Sequence, residues 1–149
     1  MAKIKLTEGQ LIAVNEAEGY IDGKLHTDKR YVVISGMGGT GKTLATKYIV
    51  KKYKDKKTIG IAIAHQAVKE LNKGLKKPSI TLAKALNKKL IRNKKTGKET
   101  FEIEKNLFNK LPIAKYQILI IDECSMLGGD DIEEILTYAD PNAKIIMLG

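Results

Sequence analysis

The run Gly36-Met37-Gly38-Gly39-Thr40-Gly41-Lys42-Thr43 restricts what this chain can fold into more than any other feature. It has the form G-x-x-x-x-G-K-T and lies between two segments of opposite character. Before it, YVVIS at 31–35 is short, β-branched and apolar, as in a buried strand that ends at glycine. After it, KTLATKYIVKKY at 42–53 spaces Leu44, Tyr48 and Ile49 as a helix does. Strand, glycine loop and helix in that order make a cradle for nucleotide phosphates. The glycines let successive backbone N–H groups turn inward where a Cβ would block an anion. The helix then directs its N-terminal amides and dipole at the same point. Lys42 supplies charge for the β- and γ-phosphate oxygens, and the Thr43 hydroxyl is a hard ligand for Mg²⁺. A glycine turn with a chance lysine is the alternative, and the flanking strand and helix argue against it.

ILIIDECSM at 118–126 supplies the complement. An apolar strand ending in Asp122-Glu123 puts two carboxylates at the carboxyl edge of a parallel sheet, where open α/β folds bind ligands. Asp122 would hold Mg²⁺ through its water shell, and Glu123 would orient and polarise an attacking water. Taken alone, two acids after a strand serve equally well as caps of the next turn; the glycine loop favours the catalytic role. These two elements do not separate adenine from guanine nucleotides.

The remaining segments alternate in the same way. LTEGQLIAVNEAEGYID at 6–22 reads as a helix with Thr7 as N-cap and Gln10 three residues on, a capping box. TIGIAIA at 58–64 is a strand, HQAVKELNKGL at 65–75 a helix, and TLAKALNKKL at 81–90 a shorter helix. IRNKKTGKETFEIE at 91–104 has a Thr-Gly turn between alternating runs, a hairpin signal. YQILIID at 116–122 is the most apolar strand, a helix follows at 130–139, and AKIIMLG at 143–149 is a strand running into the chain end. Strands alternating with helices through short loops predict a three-layer α/β fold of the P-loop NTPase kind. It has a parallel sheet, helices on both faces and a small β-hairpin insertion.

Charge narrows the choice of partner. Residues 1–40 carry 5 basic and 5 acidic side chains, residues 41–98 carry 18 against 2, and residues 99–149 carry 4 against 10. The basic middle suits a polyanion, and it equally suits a solvated lysine-rich surface. No apolar run approaches the roughly 20 residues of a membrane span, and MAKIKLTEGQ lacks the apolar core of a leader. Cys124 is the only cysteine, so an internal disulfide is excluded and a reducing cytoplasm is the expected setting.

The pieces together resemble a known family. LTEGQ at 6–10, GMGGTGKT at 36–43, AIAHQAVKEL at 62–71, TLAKAL at 81–86, IIDECSM at 120–126 and IIMLG at 145–149 stand in the order found in superfamily 1 helicases, with the RecD/Dda-like 5′→3′ branch closest. The resemblance spans nearly the whole chain but only the first of the two RecA-like motor domains of such enzymes. It implies an ATP-dependent DNA helicase domain that hydrolyses Mg²⁺·ATP to move along single-stranded DNA and open a duplex fork. A role in DNA replication, recombination or repair follows, in the cytoplasm of a bacterium or a phage-infected cell. It further implies a monomer completed by a second RecA-like domain, with this chain ending before the residues that sense the γ-phosphate.

Carried over by position, Gln10 looks like the helicase glutamine that reads the adenine edge. His65 matches the histidine of a segment that touches single-stranded DNA, although Ile63-Ala64 stands where Pro-Thr is usual. Thr81 and Lys84 fall in a second DNA-contacting segment, where Lys84 would reach a phosphate. The hairpin, taken over 88–105, falls where relatives insert a subdomain that parts the duplex. Phe101 on it would either stack on a base or pack the hairpin onto the parent domain. Cys124 needs no chemistry, and Ser125 would link the hydrolysis site to the DNA-binding loops. The rival readings are another P-loop ATPase such as the PhoH-like group, a nucleic-acid-binding module with an idle ATP site, and a small-molecule kinase.

Overall fold

Every position of Ile118–Ile121 is buried, and the sheet is organised around this strand. The computed structural model describes residues 6–24, 29–35, 39–104 and 110–149, with Gly39 and Thr40 described as backbone alone. In chain order the elements are α1 (Glu8–Ile21), β1 (Tyr31–Ile34), α2 (Gly39–Lys52), β2 (Thr58–Ala62), α3 (His65–Leu75), β3 (Ser79–Thr81) and α4 (Leu82–Ala85). There follow β4 (Lys88–Arg92), β5 (Glu99–Ile103), β6 (Ile118–Ile121), α5 (Gly129–Tyr138) and β7 (Lys144–Leu148). Five strands form one sheet in the order β1-β7-β6-β2-β3, parallel throughout, and β4-β5 form a separate antiparallel hairpin.

Strand periodicity divides the core into two layers. Ile118, Ile120, Ile146 and Leu148 face α1, α2 and α3, where Val14, Ala17, Ile49 and Leu71 cover them. Leu119, Ile121, Ile145 and Met147 face the other way, onto Leu82, Leu86, Ile113 and Ile135. Each fully buried isoleucine or leucine contributes about 1.5–3 kcal/mol, so the doubly covered β6 and β7 anchor the domain. Gly60 in β2 permits the closest packing: a Cβ there would come within 2.7 Å of Leu71 Cδ2 and would clash with Ser79. Tyr20 ties α1 to the sheet, its hydroxyl donating to the Arg30 carbonyl and accepting from Ile145 N–H.

The elements depart from the sequence reading in three places. The expected helix over 81–90 is only Leu82–Ala85. Asn87 adopts a left-handed conformation at φ 51°, which asparagine tolerates better than most residues, and this stops the helix. Lys88–Arg92 then enters the hairpin, at the start of the expected span 88–105. The base of the hairpin is closed by Asn87, whose Nδ2 donates to the Glu104 carbonyl at 2.8 Å. Ser79–Thr81 forms a short strand that the sequence reading lacks. The helix after the glycine run begins at Gly39, inside the run itself. Among the described residues no helix is long and apolar enough to cross a membrane.

Helix α3 starts at Ala64, an N-cap without a side-chain hydrogen bond. Ala64→Ser restores an acceptor for the first-turn amides and is expected to stabilise the fold by about 1 kcal/mol. Thermal unfolding should register this as a rise of roughly 2–4 °C.

Candidate active site

Parallel register brings the strand ends to one edge. Ile34 lies opposite Leu148, Met147 opposite Ile121, Ile121 opposite Ile61, and Ala62 opposite Thr81. Ser35, Gly149, Asp122 and Ile63 therefore stand along a single carboxyl edge. β7 separates β1 from β6, so the carboxyl ends of β1 and β6 lie about 10 Å apart. That distance suits a phosphate group and a hydrated cation between them.

On the β1 side, the first turn of α2 contains no acidic residue, whereas Lys51 and Lys52 occupy its last turn. The dipole at its N-terminus is thus left for an external anion. Gly36, Met37 and Gly38 lie outside the described residues. Lys42 Nζ donates to the Gly149 carbonyl at 3.0 Å, which holds the ammonium over the end of β7. Lys42, Thr43 and Asp122 line one cleft of about 560 Å³, walled by Leu71 and Gly74 of α3. Gln10 supports the cradle from behind. Its Oε1 accepts from Thr7 N–H at 2.8 Å, completing the capping box, and its Nε2 donates to the Gly41 carbonyl at 3.3 Å. Each end of the amide holds one bond, which leaves one N–H and one lone pair for an adenine edge, and the residue is buried.

On the β6 side, Asp122 N–H continues the ladder to the Ile61 carbonyl at 2.8 Å. Asp122 Oδ1 accepts from Glu123 N–H at 2.8 Å. Glu123 is left-handed, at φ 58° and ψ 40°, a conformation that costs a non-glycine residue about 1–2 kcal/mol. Strain of this kind concentrates at functional sites. Glu123 Oε1 is also buried with no hydrogen-bond partner, an acceptor suited to a water's O–H. These residues fit Mg²⁺·ATP: an ammonium and a helix N-terminus for phosphate, and the hard oxygens of Thr43 and Asp122 for the cation. Among the described residues no three His, Cys, Asp or Glu side chains gather to hold a metal. A cation here would draw its other ligands from phosphate and water, as Mg²⁺ commonly does.

The four residues expected to meet nucleic acid fall in two groups. His65 is the exposed first residue of α3, directly beyond the carboxyl end of β2. Thr81 ends β3, and its hydroxyl caps α4 by accepting from Lys84 N–H at 3.2 Å, leaving Lys84 exposed beside it. Phe101 stands apart on β5, 66% exposed, opposite Leu90, which is 53% exposed. Its packing onto the parent domain, one of the two readings offered by the sequence, is therefore corrected: Phe101 projects from the hairpin. The partnership with Leu90 follows the alternation in KKLIR, inside the hairpin span 88–105, although the helical spacing of 81–90 runs over the same residues. Glu99 and Glu102 share the hairpin, opposite Arg92 and Lys89, so the acidic third of the chain is not segregated from the basic middle.

A family model described as an AAA domain matches residues 5–149. The chain is 34% identical to the ATP-dependent DNA helicase dda of Enterobacteria phage T4 over 150 residues, covering 97% of this chain and 31% of that protein. This bears out the likeness to the Dda branch. Among solved structures, the Bacteroides Pif1 helicase in complex with ADP-AlF3 and ssDNA aligns with a TM-score of 0.62 at 21% identity, over 99% of this chain and 32% of that one. The UvsW helicase of bacteriophage T4 aligns at 0.61 and 10% identity, over 99% and 53%. At such identities the two structures establish the fold. The chain spans about a third of the length of Dda and of Pif1.

With a buried oxygen that has no partner, Glu123 is expected to activate water and not to bind nucleotide. Glu123→Gln should therefore leave Mg²⁺·ATP affinity unchanged in calorimetry. Single-turnover phosphate release should slow by about 10²–10⁴, the usual contribution of a positioned base.

Proposed function

Since this chain belongs to the AAA domain family, we propose that it is the first motor domain of an ATP-dependent DNA helicase of the Dda-like 5′→3′ branch. The observation that carries the reading is the single carboxyl edge that holds Lys42, Thr43, Asp122 and Glu123 together with His65 and Thr81. An ATP site and a nucleic-acid contact on the same strand ends let one respond to the other through a few residues of rigid backbone.

In this reading Lys42 leaves the Gly149 oxygen for the β- and γ-phosphate oxygens. Thr43 and Asp122 would hold Mg²⁺, which when bound would neutralise charge on the transferring phosphoryl group. Glu123 holds a water at its unpartnered oxygen and draws the proton from it as the water attacks. Released γ-phosphate lets Lys42 return to Gly149. The 3-10 turn Cys124–Met126 directly follows Glu123 and stands next to this change. A second RecA-like domain would complete the cleft and the DNA track, and a monomer carrying both is the working unit.

His65, Thr81 and Lys84 then line the track of a single strand, with Lys84 meeting phosphate. The β4–β5 hairpin is the fork pin, and the exposed pair Phe101 and Leu90 forms its apolar face. Lys88 Nζ anchors the base of the pin to Glu134 of α5 at 3.1 Å.

Phe101→Ala in the protein carrying both motor domains tests the assignment. DNA-stimulated ATP hydrolysis and the melting temperature should be unchanged. Duplex unwinding should fall at least about fivefold, the equivalent of losing about 1 kcal/mol of base stacking. A joint loss of hydrolysis, unwinding and thermal stability would make Phe101 a packing residue and remove the pin.

A further inference from the structure

The fold places lysines, some of them from the basic middle of the chain, at two opposite edges of the sheet. Lys84 lies near the carboxyl edge, beside the residues already described. A second group lies at the amino ends of the strands. Lys144 is the first residue of β7, and Lys115 precedes β6 by three residues. Lys57 immediately precedes β2, with Lys54 and Lys56 on the same loop, and Lys77 precedes β3 by two residues. Because the strands lie in the order β7-β6-β2-β3, these lysines form a row. At about 4.8 Å between strands the row is roughly 14 Å long.

The row is scaffolded by backbone hydrogen bonds. Gln117 N–H and Ile118 N–H both donate to the Lys57 carbonyl, at 2.8 and 3.0 Å, and Lys144 N–H donates to the Gln117 carbonyl at 2.8 Å. The Gln117 side chain closes the set by accepting from Lys57 N–H at 2.9 Å. Two concavities of about 660 and 480 Å³ border the row and share Lys56, Lys57, Lys115 and Tyr116, so they run into one another. Asp55 and Asp140 are the carboxylates in their walls, and Asp140 already accepts from Asn142 N–H at 2.8 Å. Among the described residues none of the six lysines is paired with a carboxylate; the ion pairs are Lys52–Glu18 and Lys88–Glu134. Lys144 instead lies 4.9 Å over the Tyr20 ring. Like charges at strand spacing repel one another, and a polyanion relieves that repulsion.

We propose that this lysine row is a second nucleic-acid-binding surface, which takes a phosphodiester backbone on the edge of the sheet opposite the Lys42 cleft. Protein-binding surfaces are depleted in lysine and built around aromatic and apolar centres, and small-molecule pockets are mostly apolar. Here Tyr116 is the one aromatic residue in the shared wall. A run of about 14 Å meets about four phosphates of one strand of a duplex, at 3.4 Å each. The surface is separate from the track assigned to His65, Thr81 and Lys84. Those residues follow the carboxyl ends of β2 and β3, and β2 alone places about 13 Å between its two ends.

The test is the full chain carrying Lys54→Gln, Lys57→Gln and Lys115→Gln together, three exposed positions. Binding of a fluorescent oligonucleotide, single-stranded and duplex, is followed by anisotropy across a salt series. The slope of log affinity against log salt should become shallower by about 2 for the single strand and nearly 3 for the duplex, from three lost contacts at about 0.7 and 0.9 each. The melting temperature and Mg²⁺·ATP affinity should hold at parent values, and adding Lys84→Gln should lower affinity further. An unchanged slope in the triple variant, with or without a loss from Lys84→Gln alone, overturns the second surface and leaves the carboxyl-edge track standing. DNA binding at the parent level with loss of binding to a labelled polyglutamate peptide overturns it in favour of a protein-docking surface.

Discussion

β7 lies between β1 and β6 and is hydrogen-bonded in parallel to both. The rest of the site depends on that placement. If β1 paired directly with β6, the glycine run and the acidic pair would emerge only about 5 Å apart, too close for phosphate and a hydrated cation. With β7 inserted the gap doubles, and the Gly149 carbonyl at its end gives Lys42 a place to rest. The spacing is held by packing as much as by the ladder. Ile145 and Met147 lock β7 onto one helical layer, and Ile146 and Leu148 lock it onto the other. A strand gripped on both faces cannot slip register without moving every buried side chain to the wrong side.

Strain and linkage are concentrated at two residues on either side of that gap. Glu123 takes a left-handed backbone immediately after the most buried strand, where the Ile61–Asp122 ladder bond and the Asp122 carboxylate determine its position. Gln10 links the start of α1 to the Gly41 carbonyl, so the N-terminal helix and the phosphate-binding turn are mechanically one piece. In the proposed reading Glu123 meets the attacking water, and Gln10 steadies the phosphate-binding turn through Gly41. Neither needs large motion, since each is one hydrogen bond away from a different partner.

Much of this was legible in the amino-acid order. The glycine run, the ILIID strand and the Thr7–Gln10 capping box carry their physics in adjacent residues, and the structure has the strand and the cap where those residues put them, with the helix after the run begun early at Gly39. What escaped was set by contacts distant in sequence. Ser79–Thr81 is a strand because Gly60, Ile61 and Ala62 offer it a free edge, not because of its own three residues. The helix at 81 stops early because Asn87 turns left-handed and closes the hairpin through Glu104, a partner 17 residues away. The helical spacing of Leu82, Ala85 and Leu86 was real, but it ended there. The lysines of 41–98 read as one basic block, and only the strand order shows that Lys54, Lys56, Lys57 and Lys77 share an edge with Lys115 and Lys144, away from Lys84.

Calorimetric titration of Mg²⁺·ATP into the parent chain and into Lys42→Ala tests the carboxyl edge as a nucleotide site most directly. Saturable binding by the parent, lost in the variant without a change in melting temperature, is the predicted result. Equal affinity in the two proteins would contradict it, since no other described cation lines the cleft between Thr43 and Asp122 except Lys47, one turn further along α2.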